Sequence, residues 1–191
     1  MIGETMSSEN QSAGRPGDQR TVTALTARGT ELQDAKRMFF AFDGSRSFMD
    51  RDGARQEYEQ FSVPREVEAE WLAELTDSYL QSLGSPGNWR AVHFFRNHHD
   101  CGHLGALTNA RPRGVLWERT AYLEHLLDYV AMCRSGTGGT NEARASVEHV
   151  ISEASRLRAA CRADRTRKRV DALVEKAQHA LRSLPGIAYE H

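Results

Sequence analysis

Lysine is nearly absent from this sequence: of its 25 lysine and arginine residues only Lys36, Lys168 and Lys176 are lysines. Arginine therefore supplies almost all the positive charge, as a permanent cation with a planar fork suited to carboxylate or phosphate. Codon bias in a GC-rich genome explains this preference most simply. Cysteine is equally scarce. Cys101, Cys133 and Cys161 are odd in number, widely spaced and without a CxxC pair, which argues against a disulfide framework or a zinc ribbon and predicts reduced thiols. Cys133 and Cys161 fall on apolar helical stripes, where a free thiol acts as a small hydrophobe.

No apolar run approaches the roughly 18 residues that cross a bilayer, and no positively charged start leads into an apolar stretch. The expectation is a cytoplasmic chain with no membrane partner. Catalytic signatures are missing too. There is no Gly-x-Ser-x-Gly elbow and no HExxH, and the glycine-rich Gly136-Thr137-Gly138-Gly139 lacks the lysine of a phosphate loop. A hinge is the better reading of that stretch.

The 191 residues, 39% hydrophobic and 27% charged with a net charge of -1, suit one ordinary domain. Residues 1–34 carry only isolated apolar positions and predict a disordered tail, because they bury too little surface to offset chain entropy. Residues 35–185 form the expected domain, and 186–191 a short C-terminal tail. The aromatic run Met38-Phe39-Phe40-Ala41-Phe42, then Asp43-Gly44 and Phe48-Met49, has the pattern of a β-hairpin closed by a type I′ turn.

Beyond Asp52-Gly53 the chain reads as helical. Val67, Trp71, Leu72, Leu75, Tyr79, Leu80 and Leu83 recur at helical spacing, with Pro64 before them and Gly84 after. Trp89–Phe95 is short and apolar, compatible with helix or strand. Val115 to Cys133 carry a wide apolar stripe that predicts a central helix. Val147 to Cys161 and Val170 to Leu184 carry one stripe each, joined by a charged stretch without Gly or Pro, so one helix of about 65 Å or two helices with a bend both fit. The predicted fold class is mainly α: a helical bundle of four or five helices with a small N-terminal β-hairpin.

The densest local feature is His93-Phe94-Phe95-Arg96-Asn97-His98-His99-Asp100-Cys101-Gly102-His103, which holds four of the eight histidines. Imidazole, carboxylate and thiolate bind zinc or iron, and a flexible loop would let His98, His99 and His103 converge on such an ion. Without metal, Arg96, His98 and His103 are the candidate catalytic residues, with a histidine as general base. Arg96-Asn97 followed by His103 resembles the Arg-x(4 to 6)-His signature of HEPN-type ribonucleases, over two or three residues only. That resemblance implies an all-helical, usually dimeric, metal-independent ribonuclease. Arg119 with His125, and Arg144 with His149, fit the same spacing.

Charge forms a second pattern. Arg158, Arg162, Arg165 and Arg169 would line one face of a continuous helix, and Glu66, Glu70, Glu74 and Asp77 line one face of the Val67–Leu83 segment. The basic stripe is a candidate binding surface. Nucleic acid is a disfavoured ligand for it, since the net charge is near zero and no aromatic residues are interleaved. Pairing of acidic and basic stripes within one chain or between two copies is the alternative. Trp71, Trp89 and Trp117 are expected in the core.

Together these features predict a non-catalytic interaction or regulatory protein that self-associates through its C-terminal helix or binds another protein. An enzyme built on the His98–His103 loop, metal-dependent or HEPN-like, is the first alternative. A nucleic-acid-binding module using Arg158–Arg169 is the second.

Overall fold

The computed structural model describes residues 16–133 and 140–184, and among them there are nine α-helices and no strand. The helices are α1 (Pro16–Ala41), α2 (Arg46–Arg51), α3 (Arg55–Gln60), α4 (Arg65–Gln81), α5 (Trp89–Asn97), α6 (Leu104–Asn109), α7 (Leu116–Cys133), α8 (Thr140–Ala160) and α9 (Asp164–Arg182). The mainly helical class holds, with more and shorter helices than the four or five expected. Residues 1–15, the glycine-rich 136–139 and the tail at 186–191 lie outside the described residues. The chain from Pro16 to Asp34, expected to be disordered, belongs to α1. Its residues 29–33 are exposed, and the first core position is Ala35.

The expected hairpin is a helix–turn–helix. Met38 to Ala41 form the last turn of α1, and Phe48 and Met49 lie in α2. Ala35 and Phe39 are buried at four-residue spacing, so the aromatic run continues a helical stripe. The turn chemistry itself was legible. A type I′ turn needs positive φ at both central residues, and Asp43 and Gly44 do have φ of 53° and 67°. Here that conformation caps a helix. Asp43 N donates to Phe40 O and Gly44 N to Phe39 O, the paired bonds of a Schellman motif. Gly53, with φ 74°, ends α2 in the same way through Gly53 N to Asp50 O and Ala54 N to Met49 O.

The central helix is α7. It buries nine side chains, including Tyr122, Leu123, Leu126, Tyr129 and Val130, and packs against α5, α6, α8 and α9. Trp89–Phe95 resolves as helix α5, burying Ala91, Val92, Phe94 and Phe95. The C-terminal segment is two helices, broken at residues 161–163. Cys161 is buried and its carbonyl accepts from Arg167. One continuous helix would leave two apolar stripes in water. Folded back, Val147, Val150, Ala154 and Leu157 of α8 and Val170, Leu173 and Ala177 of α9 share one core with α7.

The reduced-thiol expectation fails for two of the three cysteines. Cys101 and Cys133 are joined in a disulfide with a Cα–Cα separation of 5.5 Å, and Cys161 is free and buried. The two partners are 32 residues apart, so no CxxC-type spacing announces them. α5 and α7 pack together, and this packing brings the loop after α5 to the C-terminal end of α7.

Candidate functional site

The His98–His103 loop is held by contacts of its own. His98 Nε2 lies 2.7 Å from the carbonyl of Asp43. The Tyr129 hydroxyl donates to the carbonyl of Asp100, and the next residue is the disulfide-bonded Cys101. His99 has φ 53°. Its backbone caps α5, with His99 N donating to Arg96 O and Asp100 N to Phe95 O, and histidine is among the residues that tolerate this conformation. His103 pairs with Asp100 at 3.3 Å and packs on Phe95. The three histidines proposed as metal ligands therefore make three separate attachments. Among the described residues no group of three or more His, Cys, Asp or Glu is placed to hold a metal ion.

Arg96 does take part in a cluster, with partners other than His98 and His103. On α5, His93, Arg96 and Asn97 share a face at i, i+3 and i+4; on α7, His125 and Asp128 do so at i and i+3. Arg96 Nη1 lies 3.2 Å from His125 Nδ1 and 3.3 Å from Asp128 Oδ2. Asn97 Nδ2 is 3.1 Å from His93 Nδ1. The two imidazole rings meet edge to face with centroids 5.1 Å apart. Phe48 stacks on His93 and Trp89 on His125. Asp128 also accepts from Lys176 of α9 at 2.8 Å, so one carboxylate ties α5, α7 and α9 together.

Burial and the neighbouring guanidinium keep both rings neutral. Burial, then Arg96, lowers the pKa of His93, and burial, Arg96 and His93 push that of His125 down to about 4. Because a guanidinium can only donate, the neutral His125 ring accepts at Nδ1 and carries its proton on Nε2. Sequence inspection singled out His93 only as part of a dense run and His125 only as a spacing match. The i, i+3 pattern of polar residues on two apolar helices was the signal available.

The four arginines of the basic stripe are divided among α8, the turn and α9. Arg158 bonds to Asp171, and Arg169 donates through Nε to Glu124 at 2.8 Å. Arg162 and Arg165 are exposed. The acidic stripe of α4 faces other partners: Glu74 pairs with Lys36, and the nearby Glu68 with Arg46. The two stripes therefore do not meet within the chain through these pairs. Trp71 is in the core as expected, but Trp117 is 55% exposed, next to Val115 at 57%. Trp117 lines an open pocket of about 470 Å³ with Val115, Arg165 and Arg169, so aromatic and arginine side chains are adjacent in space though separated in sequence.

Comparison with protein-family models, curated proteins and solved structures finds no match. Function must be read from these surfaces alone.

Proposed function

We propose that this chain is a non-catalytic interaction module that self-associates through the surface around Trp117, which includes the start of its C-terminal helix α9. The observation that carries the reading is the exposed Trp117 beside Arg165 and Arg169. Tryptophan, tyrosine and arginine are enriched at binding hot spots, and Trp117 with Val115 makes a contiguous exposed apolar patch rimmed by polar groups, as interaction sites do. The apolar stripes of α8 and α9 are already buried against α7, which supports a surface elsewhere. On α4, Glu66, Glu70 and Asp77 are exposed and have no ion pair among the described residues. A second copy of this chain thus offers an acidic helix face to the arginine-flanked tryptophan.

Sedimentation of the full chain at low and high salt tests this. The expected result is an oligomer at low salt that dissociates at high salt and is lost in Trp117→Ala, with helicity unchanged. A protein that stays monomeric at high concentration in low salt overturns it. Cytoplasmic placement is not part of the proposal, because disulfides persist mainly in oxidising compartments and Cys101–Cys133 is bonded.

A second reading places metal-independent acid–base chemistry at His93, Arg96 and His125, in place of Arg96, His98 and His103. The two adjacent neutral imidazoles and the guanidinium favour it. Against it, a general base works best with a pKa near the working pH, and His125 is held near 4. Incubating single-stranded RNA with the wild type and with His125→Gln separates the readings: cleavage lost in the variant would favour the enzyme.

A further inference from the structure

On the side of α7 that carries Arg119, the loop before the helix and the C-terminal part of α8 enclose an open pocket of about 430 Å³. Its charged lining is four guanidinium groups, Arg111, Arg113, Arg119 and Arg156, against one carboxylate, Glu153. Glu153 is bonded to Arg156. The side chains of Arg111, Arg113 and Arg119 have neither an ion pair nor a hydrogen bond among the described residues, and Arg119 Nε is buried without a partner. Buried polar atoms are nearly always satisfied, so an unpaired one calls for an explanation such as a bound water or ion.

The pocket is built rather than incidental. Asn88, 1% exposed, donates through Nδ2 to the carbonyls of Leu83 and Arg111, each at 2.9 Å, and accepts from Arg113 N at 3.2 Å. Gly114, with φ 92°, lets the Glu118 carboxylate reach back and accept from Val115 N at 2.9 Å. A Cβ on Gly114 would collide with that carboxylate. The backbone bearing Arg111 and Arg113 is thus held in place before any ligand arrives, which lowers the ordering cost of binding.

We propose that this pocket binds the phosphate group of a small phosphorylated molecule. Three uncompensated guanidinium groups in one concavity exceed what a single carboxylate can neutralise, whereas a phosphate monoester brings a charge of about -1.5 to -2 and three acceptor oxygens. The planar arginine fork matches those oxygens in bidentate fashion. A pocket of this size falls within the range of roughly 300–1,000 Å³ typical of small-molecule sites. The charge is gathered around one recess instead of being spread along a ridge, which favours a compact anion over a nucleic-acid strand.

Calorimetric titration of the full chain with inorganic pyrophosphate is the test, with a single-stranded oligonucleotide as a parallel ligand. Saturable one-site binding of pyrophosphate is expected, weakened at least tenfold in Arg119→Gln and in Arg113→Gln and changed less than twofold in Arg182→Gln, an exposed arginine at the end of α9. Arg113 is exposed, so its variant decides the matter should Arg119→Gln fail to fold. Absence of saturable binding to the wild type, or an equal loss in Arg182→Gln, overturns the proposal. So does an oligonucleotide that binds more tightly than pyrophosphate and depends on Arg165, which would assign the arginines to an extended nucleic-acid surface. The outcome is independent of self-association through Trp117, which sedimentation reads separately.

Discussion

Arg96 on α5 and His125 on α7 meet at 3.2 Å, guanidinium to Nδ1, and the contact works against protonation of the ring. A folded-state pKa of about 4 against an ordinary 6.5 means that the unfolded chain binds more protons than the folded one between those values. Stability from this site is therefore fully present above about pH 6.5 and is lost as pH falls toward 4. His93, lowered by burial and by Arg96, acts in the same direction. Thermal unfolding followed from pH 7.5 to 4.5 should show a falling midpoint, with a shallower fall in His125→Gln.

The Cys101–Cys133 bond closes a long loop that includes α6 and all of α7. Loop-closure entropy for a separation of 32 residues corresponds to about 3–4 kcal/mol. Replacing both cysteines with alanine should lower the denaturation free energy by that order. Amide exchange at residues 98–103 should quicken in the same variant, because the loop then loses its one covalent tie to α7.

Two glycines at helix ends should respond differently to alanine. At Gly53 a Cβ meets nothing within 4 Å, so Gly53→Ala costs only the left-handed backbone penalty, about 1–2 kcal/mol. At Gly44 the added carbon would lie 2.7 Å from the Phe39 ring, and overpacking adds about 1–3 kcal/mol. Urea denaturation of the two variants side by side should rank Gly44→Ala as the more damaging; equal losses would contradict the packing at Phe39.

Asn88 links the turn after α4 to the arginine loop through one buried amide. Asn88→Ala leaves the carbonyls of Leu83 and Arg111 without that donor, at a cost of about 2–4 kcal/mol. The variant should also bind pyrophosphate more weakly than the wild type, since the loop bearing Arg111 and Arg113 loses its support.

Local pattern was sufficient for much of the fold. The apolar spacing of Val67–Leu83 and of Val115–Cys133 specifies α4 and α7, because a helix that must bury one face repeats its apolar residues every three to four positions wherever it packs. The positive φ of Asp43-Gly44 was legible too, since only such residues adopt it cheaply. Which element that turn ended was not, because a strand and a helix can stop on the same dipeptide. Tertiary structure decided the rest. Cys101 meets Cys133, Arg96 meets His125, and Arg119 shares a recess with Arg156 of another helix. Each of these depends on how two helices cross, and one helix's periodicity carries no information about which face of a distant neighbour it will meet.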